Sequence, residues 1–346
     1  MQKWPMTIRK FCLLLLAATV PINLHADDGA ASIAEGGIIL MKREPRIVMA
    51  KEVLQISPSK VTVDYDFRND SDQDITSMVA FPIPDYQMTV DRPSNQGFDD
   101  FHLWINGEAS EFRTDTRALL GDKDYTKLLT DLHIDIGSFG HSTDFDQSPD
   151  IQKLSASNRQ QLVRLGLIDA AYDQRPHTNG MPNWHVVKKY YWKQTFLSHK
   201  AVHIRHEYSP VLGSTSSIRI GWGTNFDNQW AAEGIQSFCI DTGLRDVLQR
   251  VVSTKEGDAP YEYVDFILTT ANTWKTPIED FTLIVERPHQ THGDSNDNVA
   301  GYVSFCWEGS VRKLDADHFS AHAVNFVPVK ELKVGFFWNQ NPYLRK

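Results

Sequence analysis

Three groups of residues in this 346-residue chain have the types and spacing to do chemistry: an acidic run, a set of histidines and a pair of cysteines. Asp70-Ser71-Asp72-Gln73-Asp74 puts carboxylates at alternate positions, as a calcium loop does. An EF-hand also needs glycine at its sixth position and glutamate at its twelfth. Ile75 and Phe81 stand there instead, so the run is expected to be a solvated hairpin turn. His203 and His206 are three apart in a strand-like stretch, on opposite faces and out of reach of one metal. His289, His292 and Asp294 lie in a polar stretch. His318 and His322 share a face but stand about 13 Å apart if extended. Both sets are expected at the surface, and no metal or other cofactor is implied.

Nucleophilic catalysis finds no local motif. The mature chain has no G-x-S-x-G elbow. Metalloprotease H-E-x-x-H and a phosphate-cradling P-loop are also absent. Gly221-Trp222-Gly223 begins like a dinucleotide turn, but Phe226 occupies the third glycine position and no βαβ unit surrounds it. Catalytic residues distant in sequence remain open, because triads need not be local.

The cysteines take their meaning from the first 26 residues, which read as a secretory leader. Lys3, Arg9 and Lys10 form a positive start, Phe11 to Val20 an apolar core, and Leu24-His25-Ala26 a cleavage site before Asp27. The apolar run is about half the roughly 20 residues that span a bilayer, so a cleaved leader is expected rather than an anchor. Cys12 leaves with it, and the expected cut lies between Ala26 and Asp27. Cys239 and Cys306 remain, an even pair in an oxidising compartment, and one disulfide is expected over two separate buried thiols. Closing so long a loop contributes about 4 kcal/mol in the chain-entropy description. Losing three cations changes the formal charge from −9 to −12. An acidic chain with no Lys/Arg cluster lacks the footprint of a nucleic-acid binder. No later stretch is apolar enough to span a membrane.

Alternation dominates the elements that must position these residues. Val61, Val63, Tyr65 and Phe67 share one face of a half-buried strand, with Thr62, Asp64, Asp66 and Arg68 on the other. Val79, Phe81 and Ile83 alternate in the next, and Phe101, Leu103 and Ile105 run into the hairpin signal Asn106-Gly107. Further strands are expected around 190–196, 202–208, 261–268, 281–285, 302–306 and 332–338. Helical signals sit in two places. One is a helix capped by Asp124, followed by a Ser157/Gln160 capping box ending at Gly166. The other is Leu244, Val247, Leu248 and Val251 at i, i+3, i+4, i+7.

Aromatic residues crowd the C-terminal two thirds. Consecutive Tyr190-Tyr191-Trp192 put rings on both faces of one strand. Such a strand is either buried on both sides or offers a platform for sugar or peptide. Burial is the expected reading, and Tyr191, Trp192 and Trp184 are the residues a surface site would use.

A resemblance then emerges. Ala31-Ser32-Ile33-Ala34-Glu35-Gly36-Gly37-Ile38, Tyr65-x-Phe67-Arg68-Asn69, Val79-Ala80-Phe81-Pro82, Tyr191-Trp192-x-Gln194-x-Phe196, Cys239-Ile240-Asp241 and Ser304-Phe305-Cys306 resemble a bacterial exported family of unknown function, family 4424. Phe67-Arg68-Asn69, Phe81-Pro82-Ile83-Pro84 and Val202-x-Ile204-x-His206-x-Tyr208 resemble, more weakly, the VIT domain of inter-α-trypsin inhibitor heavy chains. The second likeness implies a non-enzymatic sandwich accompanying adhesion proteins.

The expected architecture is mainly β: antiparallel β-sandwiches with a helical insertion and a short helix in the C-terminal part. Residues 1–26 are a leader, 27–212 a VIT-like sandwich with an insertion at about 116–184, and 213–346 a second β-rich domain. The expected role is a non-catalytic binding or envelope-structural module in the periplasm or outside the cell, with a protein or glycan partner. The alternative is a hydrolase of envelope carbohydrate or peptide. Protein purified from the envelope of its native host should begin at Asp27 on N-terminal sequencing, and retention of residues 1–26 would contradict the leader reading.

Overall fold

Sequence alternation carries directly into the strands. A computed structural model describes residues 28–33, 39–87, 100–137, 153–169, 181–210, 212–219, 234–251, 258–291 and 298–337. Strands β1 (Gly29–Ile33), β2 (Ile39–Met41), β3 (Ile47–Ile56), β4 (Val61–Asn69) and β5 (Ile75–Pro82) come first. They lead to β6 (His102–Ile105), β7 (Glu108–Ala109), β8 (Arg113–Leu120) and β9 (Lys123–Asp124). Helices α1 (Thr126–Asp131) and α2 (Ala156–Arg164) and the pair β10 (Ile168–Asp169) and β11 (Met181–Pro182) precede the long β12 (His185–Phe196). After β13 (Ala201–Tyr208) and β14 (Gly213–Arg219) come α3 (Thr242–Val251) and β15 (Asp258–Phe266). A 3-10 turn, Thr269–Thr273, leads to β16 (Ile278–Glu286), β17 (His289–Thr291), β18 (Asn298–Ala300) and β19 (Tyr302–Phe305). Strands β20 (Val311–Lys313), β21 (His318–Phe326) and β22 (Leu332–Phe337) end the described chain.

Three sheets close around one core. The largest has the order β20-β21-β16-β3-β4-β13-β6-β7, the second β2-β1-β5-β12-β8-β9, and the third β14-β15-β22-β19. Val61, Val63, Tyr65 and Phe67 are all buried, as their shared face requires. They meet the second sheet: Phe67 and Phe196 rings lie 5.9 Å apart, and Trp192 lies 5.3 Å from His206. The third sheet joins through Phe266, 6.2 Å from Phe81. The fold is therefore mainly β and sandwich-like. Asn106 and Gly107 have φ of 53° and 85°, both positive as a tight hairpin between β6 and β7 needs.

Pairings of the large sheet cross the expected boundary at residues 212/213. β16 lies parallel to β3 with Leu283 opposite Leu54, placing a C-terminal strand inside a sheet begun by the N-terminal one. Alternating Phe281, Leu283 and Val285 need a covered face, and the open edge of β3 supplies the sheet that provides it. The excursion carrying α1 and α2 leaves after β8 and returns at β12, and those two strands pair with each other. Ser155, not Ser157, caps α2: its Oγ accepts from Asn158 N at 3.1 Å. Asp124 Oδ1 accepts from Thr126 N at 2.8 Å, one residue ahead of the α1 N-cap Tyr125.

Trp274 ties the ends of the chain to this core. Its indole N–H donates to the Asp28 carbonyl at 2.6 Å, and its ring lies 4.7 Å from Phe67. Asp28, Glu52, Tyr65 and His206 are fully enclosed. The Asp28 N–H donates to the Tyr65 hydroxyl at 3.3 Å. His206 Nε2 stands 3.5 Å from Asp28 Oδ1, a spacing compatible with an ion pair. Enclosure outweighs it: among the rings of Tyr65, Phe81, Phe101 and Trp192, burial pushes the imidazole down to about 3 and keeps it neutral.

The unfolded chain therefore takes up a proton on this histidine below its ordinary value of about 6.5, while the folded chain resists until about 3. Stability from the neutral ring is complete above pH 6.5 and is lost progressively as pH falls toward 3. Thermal melting of wild type and His206→Leu across pH 7 to 4 should show a shallower decline in the variant. Parallel declines would contradict a neutral buried His206.

Candidate binding groove

A concave apolar groove opens where the first and third sheets adjoin. It encloses about 200 Å³ between the end of β21, the start of β22 and the turn after β19. Trp307, Phe326, Val327, Val329, Leu268 and Leu332 supply its apolar wall, and Glu308, Lys330 and Glu331 place two negative charges and one positive on its lining.

Each wall has a local cause. Asn325, φ 52°, kinks β21 just before its last residue, Phe326, which still pairs with Ile278. The loop after it is pinned to the 3-10 turn: Asn272 Nδ2 donates to the Pro328 carbonyl at 2.9 Å. Glu331 accepts from Leu268 N at 2.8 Å, Thr269 N at 3.4 Å and Thr269 Oγ1 at 2.7 Å. Trp307 stacks on Phe281 at 5.7 Å and lies 5.4 Å from Phe326, while Phe281 and Phe326 are 4.7 Å apart. The Trp307 indole N–H has no hydrogen-bond partner among the described residues. Gly309, φ 133°, holds the turn beside that nitrogen in a conformation other residues rarely adopt.

The groove is rimmed by exposed aliphatic side chains. Val329 is 77% exposed and Val327 49%. A cluster of this kind beside a preformed aromatic wall is the surface signature of a binding site rather than of scattered apolar residues.

The Cys239–Cys306 disulfide forms the back of this wall, with Cα atoms 5.0 Å apart across 67 residues of sequence. Cys306 lines the groove and immediately precedes Trp307. On the other side, Cys239 closes a helical turn: Ile240 N donates to the Ile235 carbonyl at 3.0 Å and Cys239 N to the Gln236 carbonyl at 3.3 Å. This is a Schellman cap with Cys239, φ 50°, in the left-handed position that favours glycine.

The residues singled out by sequence for a surface site lie elsewhere. Trp184 is 1% exposed and donates from its indole to the Ile136 carbonyl at 3.3 Å. Trp192 is 5% exposed and packs in the inter-sheet core, as does Tyr190, stacked on Phe101 at 4.1 Å. Tyr191 faces outward, half-buried with Met41 and Met78 over Ala31 and Ala80. A platform of Tyr191, Trp192 and Trp184 is thus corrected, because β12 lies between β5 and β8 and its inner face meets the large sheet. The groove was missed: Phe326-Val327-Pro328-Val329, an apolar run broken by proline, was its only local signal.

Acidic and histidine residues form ion pairs and hydrogen bonds among themselves and with neighbouring cations. Asp70 binds Arg68 at 2.6 Å, Asp72 binds His199 at 2.7 Å, and Asp74 accepts from Ser198 N at 2.8 Å. The Arg68 guanidinium holds the Asp70 carboxyl below its usual range. His203 faces out to Asp64 and Asp66 while His206 is enclosed, so the two do lie on opposite faces. His289 pairs with Asp317, His318 with Asp315, and His322 with Asp280. His292, Asp294 and Gly221 to Phe226 lie outside the described residues, as do Ala26 and Asp27. Among the described residues no three of His, Cys, Asp and Glu are grouped to hold a metal. No helix of the described chain is long and apolar enough to cross a membrane.

Glu331 is the tether on which the groove's shape depends. Glu331→Ala should lower stability by about 1–3 kcal/mol in denaturant unfolding, because it strips two main-chain N–H groups of their acceptor. Val329→Asp, at an exposed rim position, should leave the midpoint unchanged. Equal effects from both would contradict this account.

Comparison with known proteins places these features in a wider set. No curated protein matches the chain. A solved structure from Legionella pneumophila subsp. pneumophila, provisionally assigned as a nutrient binding protein, is 14% identical. The match covers 90% of this chain and 72% of that one at a TM-score of 0.40, too low to carry an argument about fold or function. The VIT likeness gains nothing from these matches. Residues 26–334, nearly the whole described chain and both cysteines of the groove's back wall, match the family described as a domain of unknown function, DUF4424, and the chain belongs to that family.

Proposed function

We propose that this protein is an exported, non-catalytic binding module whose groove takes an apolar side chain from an extended segment of a partner protein in the cell envelope. The carrying observation is the preformed Trp307–Phe326 wall with its exposed valine rim. Export is supported by the leader-like residues 1–26 and by the disulfide, which persists in oxidising compartments. A peptide suits the wall for two reasons. The volume matches one or two side chains, and edge strand β20 begins close by with Val311 exposed. Of the two carboxylates in the groove, Glu331 is committed to the 3-10 turn and Glu308 is exposed beside Trp307, so a glycan is the competing ligand that the test includes. The hydrolase alternative needs two facing carboxylates in a cleft, and no observation favours it.

An array of acetylated hexapeptides with Trp, Phe, Leu, Asp or Lys at the centre tests this. Peptides centred on Trp, Phe or Leu should bind and change tryptophan fluorescence. Trp307→Ala should weaken the tightest by about tenfold or more, and Val329→Asp should also weaken it. Binding of peptidoglycan oligosaccharides but no peptide, or peptide binding indifferent to both substitutions, would overturn the reading.

A further inference from the structure

The disulfide behind the groove is placed to control it. Cys239 is exposed, and Cys306 both lines the groove and holds the main chain that carries Trp307. A crosslink buried in a core resists reductants by inaccessibility, whereas an exposed one is open to exchange. Cys239 also sits at the left-handed position of a Schellman cap, whose two main-chain hydrogen bonds hold that turn independently of sulfur.

Opening the bond need not unfold the segment it tethers. Phe238, Ile240 and Leu248 pack with Phe337 in a cluster of their own, joined by Leu244, Val247, Tyr261 and Tyr263. Ser304 Oγ donates to the Phe238 carbonyl at 2.8 Å, a second attachment independent of sulfur. The freedom released therefore falls on residues 306–310, the connection between β19 and β20 that carries Trp307 and Gly309. The opposite wall keeps its tethers through Asn272 and Glu331. One side of the groove is tethered independently of the disulfide, and the other is held by the disulfide together with the stacking of Trp307 on Phe281 and Phe326.

We propose that the Cys239–Cys306 disulfide is a redox switch of the groove: oxidised, it presents Trp307 for binding, and reduced, it releases that wall and weakens the partner. The proposal rests on the peptide-binding reading above. The reductant is a dithiol. Its thiolate attacks Cys239 Sγ, the sulfur–sulfur bond breaks, and Cys306 leaves as a thiolate and takes a proton. Its thiol then lies near the Gln236 carbonyl, 3.4 Å from Cys306 Sγ in the oxidised protein. The reductant's second thiol attacks the mixed disulfide, frees Cys239 and departs as a disulfide, so two electrons and two protons pass to the protein.

The experiment uses the mature protein, oxidised, reduced with dithiothreitol, and as Cys239→Ser/Cys306→Ser. Iodoacetamide should label both cysteines of the reduced protein while circular dichroism stays native. The tightest Trp-, Phe- or Leu-centred hexapeptide should bind the reduced protein and the double variant roughly threefold or more weakly than the oxidised protein. Peptide binding with equal affinity in all three overturns the switch and leaves the groove reading intact. Labelling only once the protein has unfolded also overturns the switch. An oxidised protein that binds no peptide overturns both.

Discussion

The parallel pairing of β16 with β3 is the constraint on which the remaining architecture depends. Two strands more than 200 residues apart become neighbours, so the chain cannot divide into independent halves. β16 brings β21 and β20 onto one side of β3, and β4, β13 and β6 extend the other. Trp274, just ahead of β16, then reaches across to the first described residue, while Lys275 N donates to the Ile47 carbonyl at 2.9 Å. Contacts of such sequence separation are entropically costly to form, and the buried aromatic rings around Phe67 offset that cost.

The groove is a by-product of the same arrangement. β21 ends in the large sheet and β22 begins in the third, so the five residues between them bridge two sheets that do not pair with each other. A bridge of this kind leaves a cleft beside it. Here the cleft is kept open from below by Glu331 and Asn272 and from behind by the disulfide. An apolar cleft with no tethers would collapse onto its own valines, because exposed aliphatic surface is unfavourable in water.

Polar groups are sorted by the faces of the large sheet. Its outer face carries ion pairs such as Arg68 with Glu279 at 3.0 Å and Lys60 with Glu207 at 2.6 Å. These are solvent-screened and contribute little each. Its inner face holds Asp28, Glu52, Tyr65 and His206 among aromatic rings, where every polar group weighs more because water is excluded. One strand shows the contrast: His203 pairs with aspartates in solvent, and His206, three residues on, is driven neutral.

Much of the local structure was legible in the residues. Alternation identified β4, β13, β16 and β22, Asn106-Gly107 identified its hairpin, and the spacing of Leu244 to Val251 identified α3. The His203/His206 split followed from strand period alone, and a pair of cysteines behind a leader-like segment sufficed to expect one bond. These features are determined by neighbours a few residues apart, which a sequence displays directly. Local pattern could not say which of two adjacent serines caps α2, nor that Trp184 and Trp192 are covered while Trp307 is not. It could not show that residues 47–56 and 278–286 share a sheet. Period gives each strand a wet and a dry face, but which dry faces meet, and where two sheets fail to meet and leave a groove, is decided by long-range pairing and packing in three dimensions.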